Sequence, residues 1–148
     1  MSDVEIVIGN ERFQARFRDD LAPKTCAMFR SLLPWRQRII HARWSGEACW
    51  IPLGDLRLDV GCESATSCPQ PGDIILYPAG VSETEILLAY GSVRFASRSG
   101  QLAGNPMLAI TSGLDRLAEV GRKLLWSGAR EISFCTQTAI REATSAAA

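Results

Sequence analysis

The sequence predicts a mostly β protein in which about eight short antiparallel strands close into a barrel and two helices cap its ends. Short runs of alternating apolar and polar residues recur along the chain, and Gly and Pro turn signals separate them. Two longer segments carry apolar residues at helical spacing instead. Closing eight strands into a barrel removes exposed edges. The 148 residues fit one domain, which we place at residues 1–138, with a frayed C-terminal tail at 139–148.

The first elements are a hairpin and a helix. Residues 4–8 and 13–17 alternate in polarity around the turn dipeptide Gly9-Asn10. A helix is predicted from residues 19–23, with Pro23 at its first position and Asp19 and Asp20 complementing the helix dipole. Pro34 ends it.

The rest of the chain continues the β pattern up to a second helix. Residues 36–44 and 47–52 predict a hairpin across Ser45-Gly46. The remaining predicted elements are a short strand at 56–60, a loop at 61–73, strands at 74–77 and 85–90, a helical turn at 94–97 within a glycine-punctuated loop, a strand at 107–111, a helix from 114 to Gly128 and a strand around 132–134.

The charge pattern excludes one class of partner. The chain has 16 basic and 16 acidic residues, so it lacks the basic field that nucleic-acid binding requires. Residues 1–44 carry eight basic and five acidic residues, whereas residues 47–85 carry seven acids and only Arg57. This asymmetry fits two solvated faces, or a field that steers a small charged ligand or a second copy of the chain.

The sequence also indicates a cytoplasmic protein. Its first residues lack the pattern of a signal peptide, and no apolar run is long enough for a membrane helix. The five cysteines are odd in number and irregular in spacing, which favours reduced thiols.

The hairpin around Ser45-Gly46 supplies the candidate site. A two-residue loop would pair His41 with Trp50 and place both on one face with Arg43. This mixed face would point outward, while the apolar face of the hairpin points to the core. A guanidinium, an imidazole and an indole together suit a carbonyl or carboxylate ligand.

Loop residues complete the predicted site. Glu63, Tyr77 and Asn105 lie at loop edges or strand ends, and we expect them to contribute ligand-binding groups. If residues 83–85 are extended, the Glu83 and Glu85 side chains point the same way. They are then either a carboxylate pair for acid–base catalysis or two solvated loop acids.

Nucleophilic and metal chemistry are weakly indicated. His41 is the single histidine, so any Cys-His or Ser-His arrangement must use it, and the predicted register puts Cys49 on the opposite face. Cys62 and Cys68 are too far apart for the usual zinc spacing. We expect no metal and no cofactor.

Several segments resemble the cyclophilin family. The segment Leu21-Ala-Pro-Lys-Thr-Cys-Ala-Met-Phe-Arg-Ser-Leu-Leu33 is similar to its first helix, and Ile39-Ile-His-Ala-Arg-Trp44 to the strand that follows. Leu53-Gly-Asp55 stands where that family has a glycine-glycine-aspartate turn. The run from Pro71 to Asn105 is similar to a bacterial group of cyclophilin-like proteins with no assigned function.

The resemblance implies an eight-stranded antiparallel barrel capped by two helices, with prolyl isomerisation as the family activity. It implies a catalytic role for Arg43, which stands near the arginine that holds the substrate carbonyl. Pro52 takes the place of the assisting glutamine. We therefore expect a barrel that binds a small molecule or peptide on its outer strand face without efficient isomerase activity. The alternatives are a working prolyl isomerase and a non-catalytic, homo-oligomeric module that partners a metabolic enzyme.

Overall fold

A computed structural model describes residues 3–137, in which eight antiparallel strands form a closed barrel. The strands are β1 (Val4–Ile8), β2 (Glu11–Phe17), β3 (Trp35–His41), β4 (Gly46–Gly54), β5 (Asp73–Tyr77), β6 (Thr84–Val93), β7 (Ala96–Ser97), β8 (Gly100–Gln101), β9 (Asn105–Ser112) and β10 (Arg130–Thr136); the helices are α1 (Pro23–Leu32) and α2 (Leu114–Ser127). The order around the barrel is β1-β10-β3-β4-β6-β5-β9-β2, and β7 and β8 form a separate ribbon. The predicted fold class is confirmed. The predicted tail at 139–148 lies outside the described residues.

Alternate apolar side chains of the N-terminal hairpin point into the barrel and form part of its core. Every second residue of β1 is buried, beginning with Val4, and the buried residues of β2 begin with Phe13. In α1, Phe29 packs edge-on against Trp35 and Phe134, with ring centroids 5.6 and 5.1 Å apart. Aromatic packing of this kind joins the helix to the barrel interior.

The start of α1 differs from the prediction in one respect. Pro23 occupies the first turn as expected, but that turn contains no acidic residue. Asp19 accepts two hydrogen bonds from the Arg30 guanidinium, at 2.7 and 2.6 Å, and Asp20 pairs with Arg18. Local ion pairs, rather than the helix dipole, therefore orient the two aspartates.

Two minor elements were predicted incorrectly. Residues 56–60 form no strand, and residues 94–97 form no helical turn. Ala96 and Ser97 pair instead with Gln101 and Gly100. Periodicity over four or five residues cannot separate these states, and here contacts with the barrel decide the conformation.

A second apolar cluster lies outside the barrel. Phe95 and Leu102, from the connection between β6 and β9, are buried against the outward-facing side chains of Ile75 and Leu87. The backbone N–H of Phe95 donates to Ser67 O at 2.7 Å and fixes this connection. The outer face of β4, β5 and β6 is therefore partly covered, and the uncovered part forms a cavity described below.

No helix among residues 3–137 is both long and apolar enough to cross a membrane.

Candidate functional site

The register of the β3–β4 hairpin differs from the predicted one. His41 pairs with Cys49 and Ile40 with Trp50, because Arg43–Ser45 form a 3-10 turn and lengthen the connection. The shift of one residue moves His41 and Trp50 to opposite faces. The prediction that His41, Arg43 and Trp50 share an outward face is therefore wrong.

Contacts with the rest of the protein explain the longer connection. Ser45 Oγ donates to Ala96 O at 3.2 Å and accepts the Ala96 N–H at 3.1 Å. Gly46 has φ +106°, and a Cβ there would lie 2.6 Å from Ser92 O. Gly46 thus permits the close approach of β6 and is not a residue of a two-residue turn.

Arg43 lies in the 3-10 turn and is exposed. The arrangement implied by the cyclophilin resemblance, with this arginine on the outer face of a strand beside the substrate, is absent from the hairpin as described. The resemblance itself stays a prediction.

His41 contacts Tyr90 at the end of the barrel near α2. His41 Nε2 lies 2.6 Å from the Tyr90 hydroxyl, and His41 Nδ1 is buried without a hydrogen-bond partner in residues 3–137. Burial, and secondarily the Arg43 guanidinium, lowers the pKa of His41, while Glu47 opposes this. At neutral pH the imidazole is therefore uncharged.

Cys49 shares a face with His41, which corrects the expectation that the two lie on opposite faces. The thiol is nevertheless a poor nucleophile, since burial raises its pKa to about 12. Neither ring nitrogen of His41 is hydrogen-bonded to Cys49, so the structure gives no support to a Cys-His pair.

An open cavity of about 670 Å³ lies on the outer face of the barrel. We call it the outer-face cavity; its lining is Trp44, Trp50, Val81, Ser82, Glu83, Glu85 and Ser97 to Ser99. The Trp44 and Trp50 rings meet edge to face, with centroids 5.3 Å apart. Trp50 thus remains beside a cavity on the outer face, as the prediction placed it, but without His41 and Arg43.

Glu85 is the unusual residue of this cavity. It is 2% exposed, and its Oε2 has no hydrogen-bond partner in the described part of the chain. Trp50 Nε1 is also a buried atom without a hydrogen-bond partner in this part of the chain. Burial, and secondarily the Glu83 carboxylate, raises the pKa of Glu85 to about 7. A buried carboxyl group without partners is costly, so its presence in a cavity marks a candidate functional group.

Tyr77 supports the cavity. It lies opposite Glu85 across the β5–β6 ladder, so both side chains point outward. Its hydroxyl accepts the backbone N–H groups of Val81 and Ser82, at 2.8 and 3.3 Å. These bonds fix residues 81–83 at the rim of the cavity. Tyr77 therefore positions the rim, whereas the sequence analysis predicted that it contacts the ligand.

Glu63 and Asn105 lie together at the start of α1. Glu63 accepts the N–H groups of Lys24 and Thr25 and the Thr25 hydroxyl, and hydrogen bonding to Thr25 lowers the pKa of Glu63. Asn105 accepts the Glu63 N–H and donates to Thr25 Oγ1 and Gly61 O. The Glu63 carboxylate thus caps the helix, and the Asn105 amide ties Glu63 and Gly61 to Thr25; neither residue lines the outer-face cavity. Their predicted ligand-binding role gains no support from this geometry.

Sequence reasoning considered Glu85 as one of a carboxylate pair with Glu83 or as a solvated loop acid, and did not predict its burial, although one signal for burial was present. Residues 86–90 form an uninterrupted apolar run, which is typical of a strand buried on both faces. An acid directly before such a run is poorly solvated. Within residues 3–137, no group of three or more His, Cys, Asp or Glu side chains could hold a metal ion.

Comparisons with known proteins place the chain in a family and in a fold. Residues 4–136 match the model of a family described as "Protein of unknown function (DUF3830)". No curated protein matches. Among solved structures, the chain is similar to McbB in complex with tryptophan, with a TM-score of 0.72 and 18% identity over 90% of this chain and 44% of that one. It therefore spans less than half of the McbB chain.

A second similar structure is the solution structure of the hypothetical protein AF2241 from Archaeoglobus fulgidus. It has a TM-score of 0.61 and 13% identity, over 90% of this chain and 93% of that one. At such identities both likenesses show the fold alone. The family match covers nearly all described residues, and the chain therefore belongs to the DUF3830 family.

Proposed function

We propose that this protein binds a small amine that carries a flat apolar group, in the outer-face cavity. Glu85 receives the amine, and the Trp44 and Trp50 rings pack against the apolar group. The observation that carries the proposal is Glu85 Oε2, buried beside a cavity and without a hydrogen-bond partner in the described residues.

The energetics favour a donor on the ligand. A buried carboxylate is stabilised most by a charged donor, and a protonated amine supplies one. Trp50 Nε1 offers a donor in return, so the ligand gains from an acceptor nearby. The wall of the cavity is aromatic, which suits a planar group and also a cation.

The charges around the cavity agree with this ligand class. Glu83 and Glu85 contribute two acids and Arg98 one base, so the lining is net negative when both acids are ionised. The Arg98 guanidinium forms no ion pair with a described residue and is exposed at the rim, where it can meet a carboxylate of a zwitterionic amine. McbB binds tryptophan, an amine with a planar ring, and this is consistent with the proposed ligand class.

Calorimetric titration with three indole compounds tests the proposal. We expect tryptamine and tryptophan, which have an amine, to bind at pH 8, and indole-3-propionate, which has only a carboxylate, to bind much more weakly. Glu85→Gln should weaken tryptamine binding by roughly 10- to 100-fold, the range expected for a lost charge-assisted hydrogen bond.

Glu83→Gln is the matched control, because it removes an exposed acid from the same cavity. Its effect should stay within about threefold, since exposed charges are screened. Equal binding of tryptamine and indole-3-propionate, or equal losses in both variants, would contradict the proposal.

A further inference from the structure

A second cavity, of about 530 Å³, lies at the end of the barrel beside the C-terminal half of α2. We call it the barrel-end cavity. It is lined by both strands of the β3–β4 hairpin, by Tyr90 of β6 and by Arg122, Leu125 and Trp126 of α2. It shares no lining residue with the outer-face cavity.

The barrel-end cavity is basic where the outer-face cavity is acidic. Arg43 and Arg122 line it, and neither guanidinium group forms an ion pair or hydrogen bond with a described residue. Glu47 is the one acid in the lining, and its Oε1 accepts the Ser92 N–H at 3.0 Å. Two guanidinium groups are therefore available to a negatively charged ligand.

The His41–Tyr90 pair adds a neutral hydrogen-bond donor. Both rings line the cavity, and a neutral imidazole has one N–H donor and one bare nitrogen. If the Tyr90 hydroxyl donates to His41 Nε2, the Nδ1–H group is a donor without an acceptor in residues 3–137. If Nε2–H donates to the Tyr90 oxygen, the Tyr90 O–H is the spare donor. In either tautomer the pair keeps one donor that has no acceptor among residues 3–137.

Helix α2 holds Tyr90 in place. A Cβ on Gly121 would lie 2.2 Å from Tyr90 Cδ1, so the helix backbone packs directly against the phenol ring. Five residues further along the helix, Trp126 is 85% exposed beside the cavity. Its ring offers an apolar surface next to the two arginines.

From these observations we propose that the barrel-end cavity binds a small molecule with a carboxylate or phosphate group, held between Arg43 and Arg122, with the His41–Tyr90 pair donating a further hydrogen bond. The site is distinct from the amine site proposed above and does not depend on it.

The single histidine makes this proposal directly measurable. The imidazole ¹⁵N signals of His41 can be assigned without ambiguity, because the chain has no other histidine. We would titrate the protein with inorganic phosphate and with benzoate, against sodium chloride at equal ionic strength. We expect at least one of the two anions to shift these signals saturably, with a dissociation constant near or below about 10 mM, and chloride to shift them little. Which anion binds more tightly distinguishes a phosphate ligand from a carboxylate ligand.

Variants separate a built site from general electrostatics. Arg43→Gln and Arg122→Gln should each weaken anion binding roughly tenfold, and Tyr90→Phe should weaken it less. Arg57→Gln is the matched control, since Arg57 is an exposed arginine outside both cavities. Glu85→Gln should leave anion binding unchanged, which keeps this test independent of the amine site.

Two results would overturn the proposal. One is the absence of saturation by either anion up to roughly 50 mM, a range that covers even weak small-ligand affinities. The other is an equal loss in Arg57→Gln and Arg122→Gln. Because Arg43 and Arg122 are exposed, their variants should fold even if a substitution of His41 does not.

Discussion

His41 Nε2 and the Tyr90 hydroxyl lie 2.6 Å apart and connect β3 to β6 across the intervening strand β4. The rings meet edge to face with centroids 5.5 Å apart. Both groups are buried, and burial acts on the two pKa values in opposite directions: it lowers that of His41 and raises that of Tyr90. Both groups therefore stay neutral across the physiological pH range.

This pair makes the stability of the fold sensitive to acid. In the unfolded chain His41 takes up a proton near its ordinary pKa of 6.5, whereas in the folded protein it does so at lower pH. Protonation thus favours the unfolded state, and the contribution of His41 to the free energy of unfolding should fall as the pH drops below 6.5. The His41→Gln variant should lack this part of the pH dependence of the free energy of unfolding, as measured by urea unfolding between pH 7.5 and 5. Parallel profiles for the two proteins would contradict the assignment.

The raised pKa of Glu85 leads us to expect the opposite pH dependence for its contribution to stability. Its folded pKa of about 7 lies above its unfolded value of 4.5, so the contribution of Glu85 to the free energy of unfolding falls as the pH rises from 4.5 to 7. Glu85→Gln should therefore stabilise the protein by roughly 3 kcal/mol at pH 8 and by little at pH 4. Chemical unfolding at both pH values measures this. A Glu85→Gln protein that is no more stable at pH 8 would show that the carboxylate is well solvated or paired.

Asn105 should matter for folding more than for ligand binding. It is 1% exposed and makes three hydrogen bonds at the start of α1, with distances of 2.7 to 3.0 Å. Asn105→Ala leaves buried polar groups without partners and should cost roughly 1–3 kcal/mol of stability. Gln70→Ala, which removes an exposed amide, is the control. A stable Asn105→Ala protein that no longer binds tryptamine would restore the ligand-binding role predicted from sequence.

Gly121 should resist replacement although it lies inside a helix. Alanine favours helices by about 1 kcal/mol over glycine, but here its Cβ would lie 2.2 Å from the Tyr90 ring. Overpacking of this kind costs about 1–3 kcal/mol. We therefore expect Gly121→Ala to lower the melting temperature and to shift the His41 imidazole signals. Ser127→Ala, an exposed position of the same helix, should do neither. A melting temperature raised by Gly121→Ala would mean that the ring moves without penalty.

The barrel could be predicted from sequence because its elements follow local rules. The turn at Gly9-Asn10 and the apolar alternation around it specify the first hairpin, and Gly128 ends α2 where the helical pattern stops. Each of these signals acts over a few residues, and tertiary contacts agree with them.

The site could not be predicted because it depends on contacts between distant segments. The bonds from Ser45 to Ala96 lengthen the hairpin connection, and the resulting shift of one residue separates His41 from Trp50. Phe95 covers part of the outer face, so strand β6, which contains Glu85, is buried on both faces. Glu63 and Asn105 are polar residues in loops, but a helix 38 to 80 positions away uses them.

The ribbon of β7 and β8 supplies the Ser97–Ser99 wall of the outer-face cavity without contributing a strand to the closed barrel. The ribbon takes part in none of the eight ladders of the barrel. Under the proposed function, we therefore expect family members that share this barrel to differ in ligand preference first through changes in the ribbon, while the barrel stays constant.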